Sequence, residues 1–262
     1  MKTRIIAGVC MVPLLIFVYL GGYPLMAVAL AIGLMGIHEL IKGFAAMDIH
    51  GSRPIAFALL ILLYAFHFAF PEDQAAIGAW LAIAVIVNLL TLFKMDGKKI
   101  EDALATLFSV VYVGFLSFHI VLIDETEKYS VLIWLVLITA FGTDICAYFS
   151  GYFLGKHKLC PDLSPKKTVE GAVGGMLGSA VLSVVFGLIF ARDALLHCMV
   201  IGLLGSVFAQ CGDLSASALK RRMGIKDYGN LIPGHGGILD RFDSVLFTAP
   251  FVCYYIRLVM MR

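Results

Sequence analysis

Charge is scarce in this sequence. Asp, Glu, Lys and Arg make up 15% of the 262 residues, against about 25% in a soluble domain. Cysteine occurs six times (Cys10, Cys146, Cys160, Cys198, Cys211, Cys253), with no CxxC pair and no zinc spacing. No disulfide framework is implied, and most of these thiols lie in apolar runs, where Cys behaves as a small hydrophobe. What is abundant is apolar surface: 61% of the residues are hydrophobic and the mean hydropathy is +0.94. A soluble fold has too much surface for its volume to hide that fraction. Lipid must be part of the solvent.

A helix crossing a bilayer needs ~20 mostly apolar residues. Nine runs qualify: about 5–20, 24–41, 54–70, 75–94, 102–123, 130–153, 171–191, 194–219 and 238–260. The N-terminal run lacks a small-residue cleavage site and reads as an uncleaved first span. The fold class expected is an all-α polytopic integral membrane protein of about nine transmembrane helices. It would be one transmembrane domain over 1–262, with N-terminal spans in 1–130 and a catalytic region in 140–245. Roughly sixteen of the twenty Lys and Arg residues fall at the termini and loops of one side if the N-terminus is cytoplasmic. The positive-inside rule then places the N-terminus inside and the C-terminus outside.

Two segments on the basic side are too polar for plain turns, 155–171 and 220–237. Near them lie carboxylates inside or at the ends of apolar runs: Asp144, Asp213, Asp240 and Asp243. Ionisable groups at membrane depth are costly and point to function. On a helix Asp213, Ser217 and Lys220/Arg221 share a face, as do Asp240 and Asp243. Carboxylate oxygens suit Mg²⁺, which is held by one or two carboxylates plus substrate phosphates. Lys and Arg suit phosphate oxygens. The run Gly234-His235-Gly236-Gly237 lets backbone N–H groups approach an anion just before a helix start. Ser164-Pro165-Lys166-Lys167-Thr168 adds two cations and two hydroxyls. The bland alternative, isolated ion pairs at helix ends, accounts for any one pair but not for the whole set. The pattern describes a metal-dependent site for a polyphosphate. Glu39 either joins the site or serves as a helix-end or snorkelling residue, the second being the favoured reading. His67, His119 and His197 read as packing residues, and Gly171–Gly178 as a close-packing stripe.

The segment Ser217-x-x-Lys220-Arg221-x4-Lys226-Asp227, followed by His235-Gly236-Gly237-x-x-Asp240-Arg241-x-Asp243, resembles the signature of phosphatidate cytidylyltransferases (CDP-diacylglycerol synthases). Gly212-Asp213-Leu214, Ser164–Gly171 and Asp144-x-x-Ala147-Tyr148-x-x-Gly151 are similar to further blocks of that family. The resemblance covers about residues 140–245; residues 1–130 match in hydropathy alone.

The resemblance implies transfer of a cytidylyl group from CTP to phosphatidic acid, giving CDP-diacylglycerol and pyrophosphate. It further implies a divalent metal such as Mg²⁺, a second cation such as K⁺, and a homodimer. No eukaryotic extension or transit peptide is visible, so a bacterial inner membrane is the expected location, with no nucleic-acid partner; the carboxylates lie toward the basic ends of their spans, which places the active site near the cytoplasmic face. Asp213, Asp240, Lys220, Arg221 and Lys226 are the expected catalytic residues. Ser164, Lys166, Lys167, Thr168, Ser217, His235, Gly236, Gly237 and Arg241 are the expected substrate contacts. Asp213, Asp240, Asp243 and Asp144 are the expected metal ligands. A secondary transporter would place its carboxylates near the midplane within inverted repeats, and no repeat is visible. The D-x-x-D-G-x-x-A-R pattern of the CDP-alcohol phosphatidyltransferases is absent.

Overall fold

The computed structural model describes residues 14–71, 74–93, 99–230 and 236–261. Most of the first expected span, and His235, lie outside the described residues. Residues 14–20 are helical and stop at Gly21. Gly21 and Gly22 have φ of +62° and +54°, left-handed values that side chains disfavour. The Gly22 N–H donates to Asp124 Oδ2 at 2.6 Å.

Eight helices follow: α1 (Gly22–Ala45), α2 (Arg53–Ala69), α3 (Gln74–Leu90), α4 (Ile100–Asp124), α5 (Ser130–Leu154), α6 (Val169–Phe190), α7 (Leu195–Arg222) and α8 (Leu239–Met260). Among the described residues seven are long and apolar enough to cross a membrane, α3 reaching that length with the 3-10 turn that continues it to Phe93 (19 residues over Ala75–Phe93); α2, with 17 residues, is shorter. At 1.5 Å per residue the 24 residues of α1 reach about 36 Å, more than the ~30 Å hydrocarbon layer. The protein is an all-helical polytopic membrane protein with one hairpin among the described residues. Where the sequence reads as a polar loop, β1 (Lys158–Cys160) pairs antiparallel with β2 (Ser164–Thr168). Strands this short carry too little alternation to be read beforehand.

Three helices widen into a π turn, at Val110–Phe115, Ile138–Gly142 and Ile256–Met260. Such turns shift the phase of every side chain that follows. The second ends immediately before Thr143 and Asp144.

The chain packs as two compact units. Unit 1 takes in the described residues of 26–118 and 222–241, and unit 2 those of 15–25, 119–221 and 242–261. Unit 1 has a core of Ile37, Leu40, Leu60, Leu63, Trp80 and Phe118, all fully buried. The Trp80 indole N–H is satisfied by the Leu59 carbonyl at 2.7 Å, and His67 packs edge-on against Phe118. Unit 2 centres on Ile123, Leu132, Leu135, Ile201 and Leu246. There the small-residue stripe of α6 lies on α5: a Cβ on Gly175 would sit 3.0 Å from both Ala147 Cβ and the Thr143 carbonyl. Gly174 and Gly178 are shut against Ser150 and Cys146 in the same way. The stripe is therefore packing, as its spacing suggests.

Candidate active site

In unit 2 four segments bring charge to one place. The hairpin is clamped at its base. Thr168 caps α6, its hydroxyl accepting the Gly171 N–H at 3.1 Å. The Val169 N–H donates to the His157 carbonyl at 2.9 Å. Glu170 accepts the backbone N–H groups of Lys156 (3.0 Å) and His157 (3.2 Å) and pairs with His157 Nδ1 at 2.6 Å. Side chains alternate along a strand, so Lys166 is exposed while Lys167 turns inward. The Lys167 ammonium donates to Asp213 Oδ2 on α7.

Burial pushes the Lys167 ammonium below the usual lysine range, while the carboxylates of Asp144 on α5 and Asp243 on α8 pull it back up. Asp213 thus pairs with the ammonium directly, and Asp144 and Asp243 lie near enough to act on it electrostatically. Gly212 sets part of this geometry. A Cβ there would lie 2.7 Å from the Asp243 carbonyl oxygen and 3.2 Å from Ser244 Cα. Only glycine lets α7 approach the start of α8 so closely. Asp243 is buried, its Oδ1 accepting the Ser244 N–H at 2.7 Å. Further along α7, Ser217 and Lys220 are partly buried and Arg221 is exposed.

In unit 1 a second pair of carboxylates organises the turn before α8. Asp240, buried, accepts the N–H groups of Tyr228 (2.8 Å) and Gly237 (2.9 Å) on Oδ2. Gly236 turns there with φ +83°, and a Cβ on it would meet Asp240 Oδ2 at 2.7 Å. Glu39, from α1, accepts the N–H groups of Ile238 (3.0 Å) and Leu239 (2.8 Å). It therefore satisfies donors at the start of α8 that the helix cannot satisfy itself. Gly229 and Gly237 press against the Glu39 carboxylate so closely that neither has room for a Cβ. Sequence reasoning underrated Glu39. It does serve a helix end, but the end of a helix 200 residues further on.

Lys226 is exposed, and Arg241 is partly buried, its buried Nε having no hydrogen-bond partner among the described residues. The other expected contacts fall as follows: Ser164 on β2 is partly buried, Thr168 spends its hydroxyl on the cap, and Gly236 and Gly237 form the Asp240 turn. Of the isolated histidines, His119 is buried against Tyr254, and His197 bonds the Tyr255 hydroxyl at 3.0 Å. Both are packing residues.

Among the described residues no three His, Cys, Asp or Glu side chains are gathered closely enough to hold a metal. The donor chemistry nonetheless suits a hard cation. Three carboxylates against one ammonium leave negative charge in excess, and every ligand atom is oxygen. Together the residues of unit 2 can neutralise and position phosphate groups through a cation and Lys167.

Comparison with known proteins extends the likeness beyond the 140–245 motifs. The sequence model of the Cytidylyltransferase family matches residues 2–259. The phosphatidate cytidylyltransferase of Bacillus subtilis is 36% identical over 266 aligned positions, which cover 98% of this chain and 98% of that protein. The proteins of the same name from Staphylococcus saprophyticus and Staphylococcus aureus are each 34% identical, covering 95% of this chain and 94% of theirs. With the family pattern spanning both units and relatives aligned end to end, the chain belongs to the cytidylyltransferase family.

Proposed function

We propose that this chain is a phosphatidate cytidylyltransferase, transferring the cytidylyl group of CTP to phosphatidic acid to give CDP-diacylglycerol and pyrophosphate. The observation that carries it is the half-buried Lys167 drawn to Asp213, with Asp144 and Asp243 beside it, in a chain of this family.

The phosphate monoester of phosphatidic acid has its second pKa near ~6. It is already a nucleophile at neutral pH, so the protein need supply no general base. One of its oxygens attacks the α-phosphorus of CTP. The bond from that phosphorus to the bridging oxygen breaks, and pyrophosphate leaves with the electron pair. The barrier is the meeting of two anions, so catalysis is positioning and charge neutralisation. Asp144, Asp213 and Asp243 would be the residues of unit 2 to hold a metal, and in unit 1 Asp240 would be a ligand by its place in the motif. Mg²⁺ held there, with a second cation such as K⁺, would supply positive charge to the triphosphate. Lys167 neutralises the departing pyrophosphate with Lys166. Lys220, Arg221 and Lys226 hold substrate phosphates, as do Arg241 and the Ser164, Ser217 and Gly236–Gly237 donors.

In this proposal the protein has nine spans, an N-terminus inside, a C-terminus outside, and the chemistry at the cytoplasmic face of a bacterial plasma membrane, as a homodimer. The direct test is release of pyrophosphate by the purified protein in detergent with CTP and phosphatidic acid. Turnover should require both substrates, vanish on chelation of divalent metal and return with Mg²⁺. Pyrophosphate release that ignores the lipid, or no turnover at any Mg²⁺ concentration, would overturn the proposal.

A further inference from the structure

A cavity of about 330 Å³ opens in unit 1 where α1 ends and α2 begins. Ile41 and Ala45 form one wall, and His50, Ser52, Arg53 and Pro54 the other. Its volume sits at the lower end of the ~300–1,000 Å³ typical of ligand pockets. No residue of this cavity belongs to the carboxylate–lysine cluster or to the turn before α8.

Its polar wall is fixed in advance. The His50 N–H donates to Asp102 Oδ1 at 2.5 Å and the Ser52 N–H to Thr106 Oγ1 at 2.8 Å. Asp102 is further occupied by the Lys99 N–H at 3.0 Å. Asp48 pairs with Lys99 at 2.7 Å and with His50 Nε2 at 3.2 Å. Asp48 and Asp102 are thus engaged, and the Lys99 ammonium with them.

Arg53 is different. Among the described residues its buried Nε has no hydrogen-bond partner, and no carboxylate forms an ion pair with its guanidinium. Beside it, the Ser52 hydroxyl makes no cap hydrogen bond to α2. Buried donors are almost always bonded, and this one belongs to a permanently charged group on a residue that lines the cavity, so the guanidinium calls for an anion from outside the chain. The planar guanidinium fork suits phosphate oxygens. The cavity lies at the end of one membrane-crossing helix and the start of an apolar one. Basic pockets at such levels meet lipid headgroups.

We propose that this cavity binds a phosphate group, through the Arg53 guanidinium and the Ser52 hydroxyl. The phosphate is that of a phospholipid headgroup or of a free anion, which share this chemistry. The inference goes beyond the transferase reading and does not depend on turnover.

The test is thermal unfolding of the full chain in detergent, titrated separately with inorganic phosphate, dihexanoyl phosphatidylglycerol and dihexanoylglycerol. A saturable rise in midpoint with a phosphate-bearing probe, and none with dihexanoylglycerol, is expected. Stabilisation by the lipid alone assigns a headgroup site, and by inorganic phosphate a site for soluble anions. Arg53→Gln should weaken the apparent affinity at least tenfold, and Arg53→Lys should retain part of it. Ala45→Phe, which fills the opposite wall with Arg53 intact, should weaken it similarly and decides the matter if Arg53→Gln does not fold. No saturable shift in the wild type, or variants that titrate like it, would overturn the proposal.

Discussion

Replacing Glu39 by alanine should unfasten the start of α8 while leaving the rest of unit 1 folded. The Glu39 carboxylate is 6% exposed and accepts two backbone N–H groups, from Ile238 and Leu239. A hydrogen bond to a charged acceptor contributes ~1.5–3 kcal/mol, and an abandoned buried donor loses its full solvation. Two such bonds make the loss about 3–6 kcal/mol, a large share of the ~5–15 kcal/mol that holds a domain folded. Local opening should absorb much of it, because these amides sit at a helix terminus. Amide hydrogen exchange in detergent, read by mass spectrometry on peptides covering 236–245, is the assay. Each ~1.4 kcal/mol is tenfold in an equilibrium constant, so exchange at Ile238 and Leu239 should quicken by a hundredfold or more. Glu39→Gln keeps one acceptor and turns a donor toward the other amide, so it should fall between. Unchanged exchange at these two amides in Glu39→Ala would refute the assignment, whatever happened to activity.

Other consequences are as direct. Lys167→Met strands Asp213 beside Asp144 and Asp243, and CTP-dependent pyrophosphate release should drop by two orders of magnitude or more; Lys167→Arg should recover part of it. Gly212→Ala forces a Cβ against the Asp243 carbonyl, an overpacking of ~1–3 kcal/mol; the melting midpoint and turnover should both fall. Thr168→Val removes the cap of α6 at a cost of ~1 kcal/mol, and Thr168→Ser should restore stability in the same thermal melt.

The helices were legible because hydropathy and length are local properties. Each run from 24–41 onward lies within a few residues of its observed helix, and Gly21-Gly22 breaks the chain where φ turns positive. The gathering of Asp144 and Lys167 with Asp213 and Asp243 was half legible. The residue types announced a charged site, and the family motifs named its outlying parts. Their contact depends on a hairpin too short for periodicity and on a π turn that leaves no mark in composition. Glu39 was the least legible. Its partners are backbone amides, which carry no residue identity, and 199 and 200 positions separate it from them. Among the described residues its sequence traces are Gly229 and Gly237, kept small by its carboxylate.

The clamp beneath the hairpin also separates two mechanical roles in one short segment. Thr168, Val169 and Glu170 fasten its base, one residue from Lys167. Pro161 and Asp162, at the opposite end, are exposed. The inward lysine is therefore positioned by a short arm, and the tip is a free end of that arm. A peptide tag or fluorophore inserted between Pro161 and Asp162 should leave the ammonium in register, which makes the tip the natural place to attach a reporter that senses occupancy of the charged cluster without entering it.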